Sequence, residues 1–400
     1  MGTRAWTALA LLWVVLGPQF ALAADWSVVP SIQAKTEFNS NLNYSFAQPV
    51  SDVIFTLSPG AEFNYTTETS QLQGKLGLTG LHYLSNGQID HIDQNYQING
   101  QYKISPRWGL SLKSAYIVDS TLQEELAASG LIMNRTPRES IMVGPGITYN
   151  LTERLAATVN YNFNKVSYDD PRFRNYATQQ AGLRLDYPLK NEKTLLQGNV
   201  LVRETRYPGS DRVQTLRIYG GGQHKFSENW EANLVGGINI TAMDFQTQVL
   251  DTSQFPFFIT VRQARLKKTE VNPYFDISTT RRWTNLSATA GYRRDESPSA
   301  YASLSEVNRV YGAVNYYFTE KLSGSLNAEY YISSQISDQN NFRNDYFSVS
   351  PQLNYKMTEK LALSPGYRFG LRDDLTNHRS ATVQAVWLML TYSYPFHYQR

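Results

Sequence analysis

Tyr149-Asn-Leu-Thr-Glu-Arg-Leu155-Ala-Ala-Thr-Val-Asn-Tyr-Asn-Phe163 contains a turn and the segment that leaves it. Leu155, Ala157, Val159, Tyr161 and Phe163 are apolar, whereas Ala156, Thr158, Asn160 and Asn162 are small or polar. A period of two is the mark of a β-strand with one apolar face and one wet face. The turn itself reads aromatic, any residue, apolar, Ser or Thr, two polar residues, then Leu or Trp. The same alternation returns in Ala181, Leu183, Leu185 and Tyr187, and in Leu361, Leu363, Pro365, Tyr367 and Phe369.

The turn signature recurs along the chain as Tyr102–Trp108, His224–Trp230, Tyr316–Leu322 and Tyr355–Leu361, with looser versions from Tyr65, Tyr187 and Ile277. Starting positions 65, 102, 149, 187, 224, 277, 316 and 355 lie mostly 37 to 39 apart. Between two such turns there is room for two strands and a longer polar loop, so the repeat is a hairpin pair rather than a solenoid coil.

The 400 residues are 42% hydrophobic, 13% aromatic and 18% charged, with 27 Tyr, no Cys and a formal charge of +3. Near-neutral charge argues against a nucleic-acid partner, and the aromatic content against disorder. Past the N-terminus no apolar run approaches the ~20 residues of a membrane helix. That N-terminus reads as an export signal. Arg4 is followed by an apolar stretch from Ala8 to Leu16, a Gly17-Pro18 break and Ala21-Leu22-Ala23 as a cleavage site. The expected division is residues 1–23 as a cleaved signal peptide and 24–400 as a single barrel domain, without plug or passenger. With no cysteine, the exported protein has no disulfide framework and must be held by its sheet.

A soluble sandwich would share the alternation, but three features separate the two. Trp108, Tyr149, Trp230, Trp283, Tyr316 and Tyr355 bracket the apolar face at the turn end, where an interfacial aromatic girdle falls. The other face is rich in Gly, Ser, Thr, Asn and Arg, suited to a wet lumen. Short turns alternate with loops of roughly 7 to 23 residues, the asymmetry of outer-membrane barrels. Closing the sheet removes its edges and satisfies the backbone in lipid. The expected fold is all-β: a membrane-spanning antiparallel up-and-down barrel of 18 strands (range 16–18). Eight turns are short and periplasmic, and nine loops are long and extracellular. A barrel of that size encloses an aqueous channel.

The opening, Val28-Val-Pro-Ser-Ile-Gln-Ala-Lys-Thr-Glu-Phe-Asn-Ser-Asn-Leu-Asn-Tyr44 followed by Ser51-Asp-Val-Ile-Phe-Thr-Leu-Ser-Pro-Gly-Ala-Glu-Phe-Asn-Tyr65, resembles the first hairpin of the β-barrel porin-2 group of outer-membrane proteins. A Pro-bearing strand recurs as Val143–Tyr149, Val271–Ile277 and Val349–Tyr355. Each proline removes a ladder donor, so a bulge or bend is expected there. The likeness implies a protein of the Gram-negative outer membrane that accompanies exopolysaccharide or exosortase systems. Its implied partners are outer-membrane lipid, an anionic polysaccharide, a periplasmic polysaccharide-export protein and the barrel-assembly machinery.

A catalytic constellation is not legible. His82, His91, His224, His378 and His397 have no Ser or Asp at diagnostic spacing, and no metal motif, phosphate loop or nucleotide fingerprint occurs. The expectation is a non-enzyme with no cofactor and no metal. Parity places Lys75, Lys113, Arg184, Arg203, Arg217, Arg293, Arg309 and Arg368 on the lumen face as pore-lining candidates. Counting all inward charges by parity gives thirteen basic against seven acidic residues, including Glu37, Glu62, Asp186 and Asp276. Either the two signs pair across strands or the surplus favours anions.

Two loops are the candidates for a constriction. Ser120–Gly130 reads as a short helix, with a Ser120/Gln123 capping box and Leu122 and Leu126 one turn apart. Residues 244–266 contain Phe255, Phe257 and Phe258, too apolar to stand free in water. Two functional readings follow. One is a conduit in exopolysaccharide export, resting on the resemblance. The alternative is a general or anion-preferring diffusion porin for small solutes.

Overall fold

The computed structural model describes residues 24–120, 136–209, 211–251, 260–300, 304–336 and 343–398. The expected signal peptide (1–23), and with it the cleavage site, lies outside them.

The strands run β1 (Asp25–Asn39), β2 (Asp52–Thr66), β3 (Ser70–Tyr83), β4 (His91–Lys103), β5 (Trp108–Ser120) and β6 (Pro137–Asn150). They continue as β7 (Ala156–Tyr168), β8 (Tyr176–Pro188), β9 (Thr194–Arg206), β10 (Arg212–Ser227), β11 (Trp230–Asp251) and β12 (Thr260–Arg282). The remainder are β13 (Leu286–Pro298), β14 (Leu304–Tyr317), β15 (Leu322–Ile336), β16 (Arg343–Lys356), β17 (Leu361–Asp374), β18 (Arg379–Ser393) and β19 (Phe396–Tyr398).

Strands β1 to β18 each pair antiparallel with their sequence neighbours, and β1 pairs with both β2 and β18, which closes the sheet. The short β19 carries the same ladder on past Tyr394-Pro395, pairing with Trp26–Val28 of β1. The wall is therefore a closed barrel of eighteen strands, the last one interrupted.

Connections at one end have two to five residues, at all eight positions where the turn signature recurs. Their Ser or Thr has a physical job. The Thr152 hydroxyl accepts the Leu155 amide at 2.9 Å, Ser105 that of Trp108 at 3.2 Å, Thr319 that of Leu322 at 3.0 Å and Thr358 that of Leu361 at 3.0 Å. Each closes the turn with a side-chain acceptor where the ladder has run out. The loosest version, read from Ile277, turns later, at Trp283, whose amide donates to the Leu286 carbonyl at 2.6 Å.

Aromatics ring the outside of this end. Trp108 and Tyr149 meet at 4.5 Å between ring centres, Phe226 and Trp230 at 4.4 Å, and Tyr316 and Phe318 at 4.8 Å. Above them Val159, Leu183, Val200, Ile238 and Leu326 face outward and exposed, as the sequence parity requires. Such a band of exposed apolar side chains is stable only against lipid.

Connections at the opposite end have four to sixteen residues, shorter at the upper limit than the sequence suggests. The difference lies mainly at 244–266. Rather than a loop, most of this segment continues β11 and β12 as a paired ribbon from Asp244↔Lys267 to Asp251↔Thr260. Backbone pairing prevails because both arms keep β-forming residues in register. Only 252–259 remains as connection, outside the described residues together with Phe255, Phe257 and Phe258.

Of the bulge or bend expected at the strand prolines, the register speaks to the bulge. At Pro59, Pro145 and Pro351 the ladder skips pairs, as between Leu57↔Gly80 and Gly60↔Gly77, yet the register on both sides is the same. No residue is inserted, so these are local openings, not bulges. At Pro273 the pairing with Ile238 of β11 is retained.

Candidate functional site

β12 and β13 share only eight register pairs, from Phe275↔Arg294 down to Arg282↔Ser287. Above Phe275, β12 pairs with β11 alone, while Asp295–Pro298 pair only with Ser305–Leu304 and their neighbours on β14. The β12–β13 seam thus opens above Phe275, and the upper end of β13, carried by β14 on β15, departs from the line of β12.

Its contacts show where it goes. Asp295 is ion-paired with Arg217 of β10. The Glu296 carboxylate accepts from Thr241 of β11 at 2.8 Å and from Asn272 of β12 at 2.7 Å. The Glu296 carbonyl accepts from Arg203 of β9 at 3.2 Å, and the Ser299 carbonyl from the Tyr207 hydroxyl at 3.1 Å. The Ala300 carbonyl accepts the Arg174 amide at 2.7 Å. Arg203, Arg217, Thr241 and Asn272 are all on the lumen parity of their strands. The tip therefore lies inside the barrel, laid across the inner faces of four strands.

An apolar cluster seals its end. Ala300 and Leu304 pack with Val166, Tyr168, Phe173, Tyr176, Tyr207, Val213 and Met243, all buried. Val166 and Tyr168 share the parity of Asn160, Asn162 and Asn164, so the inward face of β7 changes from polar to apolar as it rises. Burial against the inserted tip accounts for the inversion.

A second segment enters from the opposite side. The 40–51 connection is pinned by the Ser40 amide on the Gln384 carbonyl at 2.9 Å and by the Asn41 side-chain amide on the Thr382 carbonyl at 3.2 Å. Leu42 packs with Ile54 and Tyr83. Tyr44 packs with Tyr331, Tyr346, Val383 and Val307, its hydroxyl 3.1 Å from that of Tyr346. Gly370 makes room for it, since a Cβ there would sit 3.3 Å from the Tyr44 ring. The lumen is narrowed from two sides at the long-connection end.

Arg217 is the best-held cation of this region. Its guanidinium donates to Asn239 at 2.7 Å, lies over the Tyr274 ring at 4.2 Å and pairs with Asp295. Tyr219 and Tyr274 lean together at 5.3 Å over Gly237, where a Cβ would stand 2.2 Å from the Ile218 carbonyl oxygen.

The remaining basic candidates fall into groups. Arg184 pairs with Asp186 at 2.8 Å, Arg293 with Asp276 at 2.5 Å and Arg368 with Glu37 at 3.7 Å. Arg309 lies 5.3 Å from the centre of the Tyr331 ring. Lys75 and Lys113 are exposed on the lumen parity, with no ion pair among the described residues. The thirteen-to-seven count overstated the surplus. It omitted Asp295, Glu296 and Asp93, and also both members of the neutral Asp119–Arg138 pair at 2.9 Å. Leu122 and Leu126 lie outside the described residues, and Ser120 closes β5.

Sequence reading missed the inserted tip. Its signal was Arg293-Arg294-Asp295-Glu296, four consecutive charges where alternation should persist. A strand charged on both faces cannot have one of them in lipid.

Among known proteins, a family model described as "Putative MetA-pathway of phenol degradation" matches residues 262–388, less than half of the chain. That description differs from the porin-2 group, and the export association finds no support in it. No curated protein sequence matches the chain. Among solved structures, OccAB4 of Acinetobacter baumannii aligns at TM-score 0.49 and 10% identity, over 95% of this chain and 100% of the other. OccK2 (OpdF) of Pseudomonas aeruginosa aligns at 0.48 and 11%, over 94% and 98%. The outer membrane protein opdK of the same organism aligns at 0.46 and 10%, over 93% and 99%.

Proposed function

We propose that this chain is an outer-membrane channel through which small solutes diffuse, with a modest preference for anions. The observation that carries the reading is the β13–β14 tip held inside the lumen by Asp295 and Glu296. A closed barrel with a lipid-compatible outside and a charged inside is a conduit by construction. An internal narrowing sets a size limit that suits small solutes and works against a polymer, so the diffusion reading is preferred to polysaccharide export.

The preference for anions comes from the lysines. Most lumen arginines are paired, which cancels their field at a distance. Lys113, opposite Asn99 and Gly144, keeps its own, Lys75 shares part of its field with Glu62 across the ladder, and a low-dielectric wall concentrates anions near fixed positive charge.

The test is conductance of the purified full chain in planar bilayers, with reversal potential in a salt gradient and swelling of solute-loaded liposomes. Discrete conductance steps, an anion-favouring potential and swelling with small but not oligomeric sugars are expected. Absence of conductance, with the barrel shown to be folded, would overturn the channel.

A further inference from the structure

Above the apolar band, the outer surface of β9–β12 changes character along one cross-strand row. Register aligns Arg206 with Arg212, Arg212 with Asp244, and Asp244 with Lys267. All four residues have the outward parity of Val202, Leu216, Ile240 and Val271 two rows below. Arg265 stands one outward position further up β12, and Glu204 one further down β9. Among the described residues, four cations thus share two carboxylates on one outward patch.

The pairing within the patch is uneven. Asp244 lies 2.6 Å from Arg265 and 3.6 Å from Arg212, and Glu204 lies 2.7 Å from Arg206. Arg206 and Arg212 are directly opposite each other and both strongly exposed. Like charges in direct cross-strand opposition are destabilising unless an anion lies between them.

Height decides which anion. From Trp230 in the aromatic ring, Asp244 is fourteen residues up the same strand. At ~3.3 Å per residue and a tilt near 40°, this is about 35 Å along the barrel axis, beyond an apolar band of about 25 Å. The row stands just outside the hydrocarbon, at the level of lipid head groups.

We propose that Arg206, Arg212, Arg265 and Lys267 form an outward-facing site for the phosphate groups of a phosphorylated membrane lipid. The guanidiniums of Arg206 and Arg212 grip phosphate oxygens in their fork geometry, and Val202 and Leu216 below them lie against the acyl chains. This rests on the reading of the barrel as membrane-spanning, but not on its conducting solutes.

The experiment titrates the folded full chain in detergent with phosphorylated lipid A, with the same lipid stripped of phosphate, and with inorganic phosphate. Bound lipid is counted by native mass spectrometry. The wild type should retain the phosphorylated lipid, and the R206Q/R212Q/K267Q variant should lose about tenfold in affinity, with a weaker effect in high salt. Equal retention by wild type and variant, or equal retention of both lipids, overturns the site. Competition by inorganic phosphate at equal concentration would reassign it to the free ion. Heat-modifiable migration checks that the variant is folded, and the single R212Q variant carries the same test if it is not. Bilayer conductance of the variant, unchanged, keeps this outcome separate from the channel's own.

Discussion

Arg217 on β10 and Asp295 on β13 are paired inside the barrel although 78 residues separate them in sequence. Arg217 is nearly buried, whereas Asp295 keeps about a third of its side-chain exposure. Among the described residues, removing the carboxylate leaves the buried guanidinium with Asn239 and Tyr274, a loss of about 3 kcal/mol from the tip's attachment. Asp295→Ala should loosen the tip, raise single-channel conductance and add current noise. Conductance equal to wild type would show that the tip does not limit the path.

A second expectation concerns the lumen lysines. Replacing Lys113 by Gln should lower the anion-to-cation permeability ratio about twofold, because its register partners are Asn99 and Gly144, whereas Lys75 stands directly opposite Glu62. Replacing Arg184, already paired with Asp186, should change it less. Reversal potentials of the two variants at low salt make the comparison. An equal effect of both would show that pairing does not mute the arginines.

Gly237 offers a stability test that alters no charged group. A Cβ there collides with the Ile218 carbonyl and with Tyr219, so Gly237→Ala should destabilise the barrel by about 1–3 kcal/mol. Gly198, with open space around its position, should tolerate alanine far better. The temperature at which each variant loses its compact gel migration reads the difference.

What the residues disclosed and what they withheld follow one rule. Period-two alternation in Leu155–Phe163 and the Ser or Thr of each short turn are local signals, and with them came strand number, closure and the aromatic ring. The inserted tip depends on contacts such as Glu296 with Asn272 and Ser299 with Tyr207, of which the charge run Arg293–Glu296 is the one local trace and names no partner. The 244–266 segment misled for the converse reason. Its apolar residues matched a loop seeking cover, but its flanks were simply the continuation of two strands.

A fourth expectation is a pH effect at the 84–90 connection. Asp90 accepts the Tyr83 amide at 2.8 Å and is 2.6 Å from the His82 ring nitrogen. These contacts, the Tyr83 amide foremost, hold its carboxyl below the usual carboxylate range. Because the folded value is depressed, the contribution is complete above the unfolded value and vanishes as pH falls through the folded one. Exchange of the Tyr83 amide, corrected for its intrinsic rate, should be slow at neutral pH and accelerate only in that acid range. Asp90→Ala should show fast exchange at neutral pH as well.

The pairing of β1 with both β2 and β18 also dictates an order of events. Ser31 must find Ser393, and Asn39 must find Ala385, across nearly the whole chain. Loop-closure entropy makes such a contact late, whatever guides it. Until then β1 shows a bare row of backbone donors and acceptors, the template on which misassembly and aggregation start. The interval between the first strand and the last is therefore the most hazardous in the life of this protein, and whatever escorts it to the membrane must shield that one edge.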